Sequence, residues 1–165
     1  MDVRIRRAAP DDVAAITSIY NHYVRTSPAT FDIEEKSIED RVAWLSSHDE
    51  SLPVLVAERA GEVVGWGSVS PWATRPGWRR TVELSVYVGE VATGGGVGPR
   101  LLDALVAACR EAGHHALMAQ IVADNAPSLK MAERAGFRRA GTLTQVGRKF
   151  DRWLDLAVVE LILEE

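Results

Sequence analysis

The chain has 165 residues, of which 47% are hydrophobic, and a formal net charge of −4 at neutral pH. This length and composition suit one globular domain, residues 1–165, and the acidic balance argues against a nucleic-acid-binding surface. No run reaches the roughly 18 apolar residues of a membrane span, and the N-terminus lacks an apolar signal segment, so we expect a cytoplasmic protein that binds no membrane. Cys109 is the only cysteine, which excludes a disulfide within the chain.

The first half of the chain is predicted to contain three strands and two helices. A short strand at 3–6 precedes a helix that Pro10 opens, and a capping pattern at Ser37 starts a second helix. Two strands follow at 53–59 and 62–70, and the turn between them makes them a hairpin.

The centre of the chain has the pattern of a strand, a glycine-rich turn and a helix. From Thr81 to Val88, polar and apolar residues alternate, which is typical of a half-buried strand. Four of the five residues from Gly94 to Gly98 are glycine, and apolar residues at helical spacing follow from Leu101. Such a turn presents backbone N–H groups to an anion, and the start of the helix adds a partial positive charge. A flexible loop that merely precedes a helix is the alternative.

The second half is predicted to contain a strand at 115–122, a helix from Ser128 that Gly136 caps, and two strands that begin at Phe137 and Trp153. The whole chain then has the order strand, two helices, three strands, helix, strand, helix, two strands. This order defines an α+β fold.

Three classes of phosphate-binding turn can be compared with the glycine-rich segment. A P-loop requires Gly-Lys-Ser/Thr after its last glycine, whereas this chain has Gly98–Arg100. The dinucleotide fingerprint G-x-G-x-x-G fails from either Gly94 or Gly96. The segment Thr93–Gly98 resembles the acetyl-CoA turn of the GNAT acetyltransferases, Q/R-x-x-G-x-G/A, with Thr93 in place of the usual Gln or Arg.

The resemblance to the GNAT family extends over almost the whole chain. Asn125–Ser128 followed by Ala135–Phe137 is similar to the second family signature, N-x-x-A/S…G-F. Ile19–Tyr23, Trp78–Val88 and, most specifically, Gln145–Leu156 resemble the branch that acetylates phosphinothricin and methionine sulfone or sulfoximine. This resemblance implies a mixed, mostly antiparallel central sheet flanked by helices, with acetyl-CoA as cosubstrate. The four histidines, His22, His48, His114 and His115, show no metal-ligand spacing, so we expect no metal.

Glu83 is the candidate general base. Acetyl transfer to an amine needs a base, because at neutral pH the amine is mostly ammonium and has no lone pair for attack. Glu83 lies on the polar face of the central strand, eleven residues before Gly94, and burial in a cleft would raise the pKa of its carboxyl. A solvated strand carboxylate is the alternative, and the family resemblance favours the base.

The resemblance assigns three groups of residues to acetyl-CoA. Main-chain donors on the central strand are expected to hold the thioester oxygen, freed by a bulge near Val88 and Gly89. The glycine turn is expected to bind the pyrophosphate, and Arg100 either reaches a phosphate or is an exposed helix residue. Asn125 is expected to bond the pantetheine arm or to cap a helix. The assigned residues are Val86, Tyr87, Val88, Gly94, Gly96, Val97, Gly98, Asn125 and Ser128.

An amino-acid acceptor also brings a carboxylate, for which Arg79 and Arg80 are candidates because arginine binds carboxylates bidentately. If the strand alternates back to residue 79, Arg79 shares a face with Glu83, and that parity favours Arg79. The other expected acceptor residues are Phe31, Trp72, Phe150 and Trp153. The resemblance further implies a homodimer in which residues 146–153 of a neighbouring subunit complete the pocket.

Ala132 departs from the family pattern, because a tyrosine or histidine at that position often protonates the leaving thiolate. A thiol has a pKa of about 8.5, so a thiolate can leave without a dedicated acid, and we assign none. The leading function is N-acetylation of methionine sulfone, methionine sulfoximine or phosphinothricin. One alternative is acetylation of a polyamine, an aminoglycoside or a protein amine. Another is a non-catalytic acetyl-CoA-binding module, which Ala132 and Thr93 favour and Glu83 opposes.

Overall fold

The computed structural model describes residues 2–164, and within them the chain forms seven strands and four α-helices. The strands are β1 (Arg4–Arg7), β2 (Val54–Arg59), β3 (Glu62–Pro71), β4 (Thr81–Val88), β5 (Ala116–Val122), β6 (Arg138–Lys149) and β7 (Arg152–Ile162). The helices are α1 (Val13–Thr26), α2 (Ile38–Ser46), α3 (Val97–Glu111) and α4 (Ala126–Arg134). None of these four helices is both long and apolar enough to cross a membrane.

The strands form one sheet in the order β1-β2-β3-β4-β5-β7-β6. Every neighbouring pair is antiparallel except β4 and β5, which are parallel. A parallel pair needs a long crossover connection, and α3 lies within the segment that supplies it. The sheet confirms the predicted α+β fold and its mixed, mostly antiparallel arrangement flanked by helices.

The alternating side chains of β4 and its neighbours give the sheet two apolar faces. On one face, Val82 and Leu84 are almost fully buried and pack with Leu101 of α3. On the other face, Trp66 of β3 is 2% exposed and packs with Tyr20 of α1. Burying side chains of this size contributes about 1.5–3 kcal/mol each, so this apolar packing is what holds the helices on the sheet.

Local polar residues and backbone geometry fix the helix ends. Ser37 is the N-cap of α2, as predicted. Asn125 caps α4 by accepting the N–H of Ser128 (3.3 Å), so α4 begins two residues earlier than predicted. It ends before Gly136, whose φ of 97° is the left-handed conformation of a helix stop. The predicted start of α1 is instead a single 3₁₀ turn, Pro10–Asp12.

The β6–β7 hairpin carries an exposed apolar surface. Its turn contains Phe150 and Asp151, both with positive φ (52° and 58°), as in the tight turns that join antiparallel strands. We define the hairpin patch as four of its exposed large apolar side chains, which are Leu143, Val146, Phe150 and Trp153; a fifth, Ile162, lies at the far end of β7. A patch of this kind on one end of a sheet is a candidate contact surface.

Candidate active site

The parallel strands β4 and β5 separate partway along their length. They pair only from Thr81 to Glu83, opposite Ala116 to Met118, although β4 continues to Val88. A cavity of about 90 Å³ occupies the gap beyond the paired residues. Its lining includes Ala29, Leu84, Ser85, Val86, Tyr87, Leu102, Gln120, Asn125, Ser128, Met131 and Ala132.

The gap leaves main-chain N–H groups of β4 facing the cavity. Successive residues of a strand direct their main-chain groups to opposite edges. The N–H of Gly89 donates to Val64 of β3 (2.8 Å), whereas the carbonyl of Arg80 accepts from His115 at the start of β5 (2.8 Å). The main-chain groups of even-numbered β4 residues therefore point toward β5 or toward the gap that β5 leaves. The N–H of Val86 points into that gap.

Divergence of β5, not a bulge, frees these donors, so the predicted bulge near Val88 and Gly89 is corrected. β3 and β4 pair in one continuous register as far as Val88. Val88 has the same parity as Val86, and its carbonyl accepts the hydroxyl of Tyr23 (2.6 Å). Tyr87 directs its main-chain groups to β3 by the same alternation, and it also lines the cavity.

Glu83 is the last residue of β4 that pairs with β5, so its carboxylate lies where the sheet opens. It shares a face with Tyr87, toward α1 and α2, because residues four apart in a strand lie on one side. Gln120 of β5 donates to the Glu83 carboxylate (3.3 Å). Burial raises the pKa of the Glu83 carboxyl, and the bond from Gln120 opposes that rise only in part. Glu83 is not among the residues that line the cavity, whereas Gln120, which donates to it, is. A carboxylate with a raised pKa next to that lining is suited to accept a proton.

On the same face, a polar cluster joins α1, β4 and the loop between α1 and α2, and its members Thr30 and Asp32 were not predicted from the sequence. The rings of Tyr20 and Tyr87 meet edge to face with centroids 5.3 Å apart. The Tyr20 hydroxyl lies 2.9 Å from the Thr30 hydroxyl and donates to the carboxylate of Asp32. Burial raises the pKa of Tyr20 to about 12 and also raises that of Tyr87, so both rings are neutral at physiological pH.

The glycine turn lies on the opposite face, at the start of α3. Gly94 and Gly96 have left-handed φ values of 80° and 78°, which glycine adopts without strain. Gly96 is the N-cap of the 15-residue α3, whose first N–H groups have no partner within the helix. Gly98 packs closely on α4, since an added Cβ would stand 3.0 Å from the sulfur of Met131. This end of α3 can therefore bind a phosphate through main-chain donors.

Two arginines flank the glycine turn. Arg59, at the end of β2, was not predicted, and its Nη2 donates to the carbonyl of Val91 (3.5 Å). Its Nη1 would stand 3.9 Å from a Cβ built on Gly95. Arg100 forms an exposed ion pair with Asp2 (3.6 Å). Only the fold brings Arg59 to the turn, because 35 positions separate it from Gly94 in the sequence.

Asn125, Ser128 and Ala132 of the α4 region all line the cavity. The capping bond of Asn125 uses its Oδ1, so capping and a ligand contact through the amide nitrogen are compatible. Ala132 is buried and presents no group that can donate a proton. The α4 side of the cavity thus offers polar contacts at one end and an apolar wall at the other.

The parity argument for Arg79 does not hold. β4 begins at Thr81, and Arg79 lies in the turn that follows the short 3₁₀ segment Pro76–Trp78, so strand alternation does not set its direction. Arg80 donates through Nε to the carbonyl of Gly113 (2.8 Å). Both arginine side chains are exposed, and neither is among the residues that line the gap cavity.

The four aromatic residues predicted for the acceptor site lie outside the lining of the gap cavity. Phe31 packs against Gly147 of β6, while Phe150 and Trp153 are about half exposed in the hairpin patch. Trp72 is partly buried and directly follows β3. An acceptor pocket that used all four would therefore need surface beyond the gap itself.

The arrangement defines a group-transfer enzyme with a two-sided site. One face of the opened sheet carries a candidate base, and the other carries an anion-binding helix start. Cys109 of α3 is buried, and burial raises the pKa of its thiol to about 12, so it is not an activated nucleophile. The site accordingly suits direct transfer between a phosphate-bearing donor and an acceptor that approach from opposite faces.

Residues 5–158 match the family model described as the acetyltransferase (GNAT) domain. The chain belongs to the GNAT acetyltransferase family, which confirms the predicted family.

Named relatives resemble the chain over nearly its full length. The L-methionine sulfoximine/L-methionine sulfone acetyltransferase of Salmonella typhimurium is 40% identical over 162 residues, which cover 98% of this chain and 95% of the relative. The phosphinothricin N-acetyltransferase of Streptomyces coelicolor is 37% identical over 163 residues, with coverage of 96% and 95%. Among solved structures, yncA from Salmonella typhimurium with its cofactor acetyl-CoA has a TM-score of 0.96 at 40% identity, with coverage of 99% and 95%.

Proposed function

We propose that this protein transfers the acetyl group of acetyl-CoA to the amino group of a small amino-acid-like acceptor, of the methionine sulfone, methionine sulfoximine or phosphinothricin type. The observation that carries the proposal is the position of Glu83, a carboxylate with a raised pKa where β4 and β5 separate. Relatives named for these acceptors support the acceptor class.

The residues on the α3 face fit a CoA thioester. A Cβ added to Gly94 or Gly96 would meet nothing within 4 Å in the chain, so the space over the turn is open to a pyrophosphate. Beyond the turn, Leu84, Leu102 and Ala132 give the cavity an apolar wall that suits the pantetheine arm and the acyl group. Bound acetyl-CoA supplies an activated acyl group with a thiolate as its leaving group.

Each residue of the site then has a separate task. Glu83 accepts a proton from the acceptor ammonium, directly or through water, and the freed lone pair attacks the carbonyl carbon. The N–H of Val86, and that of Val88 beside it, donate to the carbonyl oxygen as it gains charge. As the carbonyl re-forms, the C–S bond breaks and the sulfur takes the electron pair. The nitrogen, positively charged since the attack, releases its second proton to water, which leaves a neutral amide. Because a thiol has a pKa of about 8.5, the thiolate leaves without an acid at Ala132.

The carboxylate of the acceptor is assigned to Arg79. Arg80 already donates to Gly113, so holding a ligand through its full guanidinium would break that bond. Arg79 lies one residue earlier at the same end of β4 and is exposed, which leaves it accessible to an acceptor on the Glu83 side. A planar guanidinium can bind a carboxylate through two parallel hydrogen bonds.

The activity is tested by measuring thiol release from acetyl-CoA with a panel of acceptors. The panel contains methionine sulfone, methionine sulfoximine, phosphinothricin, a polyamine, an aminoglycoside and a lysine peptide. The highest kcat/KM is expected with one of the three amino-acid analogues. Preference for another amine would replace the acceptor class, and binding of acetyl-CoA without turnover on the whole panel would favour a non-catalytic module.

We also propose a homodimer in which the hairpin patch contributes to the contact. The patch concentrates four large apolar side chains on one hairpin, and the predicted acceptor residues Phe150 and Trp153 belong to it. Val146→Glu should dissociate the dimer, as measured by light scattering. Val42→Glu on α2 is the matched control, because Val42 and Val146 are similarly exposed (48% and 53%). A fully active wild-type monomer at assay concentration would contradict the dimer.

A further inference from the structure

Lys149, at the end of β6, is buried without a carboxylate partner. Lys149 is 5% exposed, and it forms no ion pair with any residue that the structure describes. Its Nζ donates instead to the carbonyls of Ser27 (2.8 Å) and Thr30 (2.9 Å). Burial lowers the pKa of the Lys149 ammonium, and the charge of Asp32 opposes that shift. Burying a charge is costly, so a buried lysine that binds only main-chain carbonyls of one short loop suggests that holding this loop is its role.

The same loop has a second attachment to β6. Gly147 lies under the ring of Phe31, and a Cβ built on Gly147 would stand 2.5 and 2.6 Å from two ring carbons. Such distances cannot be accommodated unless the ring moves. Gly147 does not have a left-handed φ, so glycine is needed there for space and not for backbone conformation.

The loop held in this way, residues 27–32, reaches the active site. Ala29 lines the gap cavity, and the Thr30 hydroxyl lies against that of Tyr20 (2.9 Å). The loop is therefore attached to β6 through Lys149 and Gly147. Ala29 and Thr30 of the same loop lie next to the space beside β4.

We infer that Lys149 and Gly147 are positioning residues for the acceptor: they hold the loop 27–32 in place, so that its residues form the acceptor-side wall of the site. The inference rests on the proposed acetyltransferase function and deepens it. The glycine turn that suits the pyrophosphate lies on the opposite face of the sheet, and only Ala29 of the loop lines the cavity assigned to the acyl group, so a displaced loop should weaken acceptor binding more than acetyl-CoA binding.

Gly147→Ala is the principal test, and Gly141→Ala is its matched control. Both glycines lie on β6, neither has a left-handed φ, and a Cβ added to Gly141 meets nothing within 4 Å. Gly147→Ala should raise KM for the acceptor and lower kcat/KM about 10-fold or more, since displacements near 1 Å can cost up to 100-fold in rate. KM for acetyl-CoA should stay within about twofold, and Gly141→Ala should match the wild type in both constants.

A double variant separates loop displacement from other damage. Phe31→Ala removes the ring that the new Cβ would strike, so Gly147→Ala should add no further rise in acceptor KM in that background. Equal effects of Gly147→Ala with and without Phe31 would overturn the inference, as would an effect confined to the melting temperature. A wild type that binds acetyl-CoA but acetylates no acceptor would instead defeat the proposed function.

Lys149→Met tests the second attachment, because methionine keeps an unbranched apolar chain and removes the three donors. It should raise KM for the acceptor in the same direction as Gly147→Ala while acetyl-CoA still raises the melting temperature as in the wild type. An unchanged acceptor KM in a folded Lys149→Met enzyme would remove Lys149 from the assignment.

Discussion

Glu83→Gln is the change that most directly probes the proposed chemistry. Glutamine has nearly the same shape, and its amide oxygen can still accept the bond that Gln120 donates to Glu83 (3.3 Å). The variant therefore loses the ability to accept a proton and little else. General base catalysis is worth about 10²–10⁴-fold, so kcat at neutral pH should fall by that factor. At about 1.4 kcal/mol per decade, this is a loss of about 3–5 kcal/mol in transition-state stabilisation.

The pH–rate profile adds a signature that a general loss of activity lacks. Burial raises the pKa of Glu83 above its ordinary value of 4.5, so wild-type kcat/KM should fall on the acid side as the carboxylate takes up a proton. Glu83→Gln should lose that acid limb, and its deficit should shrink at high pH, where the amine is already free. Glu62→Gln, an exposed position on β3, is the control and should keep the wild-type profile.

The burial of Glu83 should also affect how the stability of the folded protein depends on pH. A carboxyl whose pKa is higher in the folded than in the unfolded chain contributes its stability fully below the unfolded pKa, and that contribution is lost as pH rises through the folded value. Glu83→Gln should therefore melt no lower than the wild type at neutral pH, with any advantage shrinking toward pH 4. A Glu83→Gln enzyme with the wild-type rate near neutral pH, or with the acid limb intact, would refute the assignment of the base.

Two further changes test the cofactor and acceptor assignments. Gly96→Val should abolish the rise in melting temperature that acetyl-CoA produces, because a side chain would occupy the space over the turn; Gly113→Val is its control, since Gly113 has nearly the same φ (81° against 78°) and follows the opposite end of α3. Arg79→Ala should raise KM for methionine sulfone but not for its decarboxylated analogue, whereas Arg75→Ala, an exposed neighbour, should change neither. A normal acetyl-CoA shift in Gly96→Val, or equal impairment of both substrates in Arg79→Ala, would contradict the respective role.

Local patterns predicted those parts of the site that depend on neighbouring residues. The alternation in β4 correctly separated the buried Val82 and Leu84 from Glu83, because strand geometry alone puts successive side chains on opposite faces. The glycine turn was recognisable for the same reason, since left-handed φ values at Gly94 and Gly96 are a local requirement.

Features that depend on contacts between distant segments could not be read in this way. The predicted bulge was wrong, because the gap begins where the pairing between β4 and β5 ends. No residue of β4 alone encodes the position of that end. The prediction that Arg79 shares a strand face with Glu83 was wrong, because β4 begins only at Thr81. The sequence indicated no role for Lys149, because its burial depends on the carbonyls of Ser27 and Thr30, which lie 122 and 119 positions earlier in the chain.

The short pairing between β4 and β5 also bears on why the base is assigned to position 83. A buried N–H left without a partner costs about 1–3 kcal/mol, so sheets ordinarily continue their pairing. β5 avoids that cost on its other edge by pairing with β7 along its whole length. On the edges that face each other, both strands lose partners beyond residues 83 and 118, and the free donors of β4 face a cavity where, in the proposed mechanism, a ligand satisfies them. Glu83 still has Ser70 of β3 on one side and Met118 of β5 on the other. Glu83 is therefore flanked by a paired strand on both edges while the residues after it are open on one, which is the combination that a fixed base beside a ligand site requires.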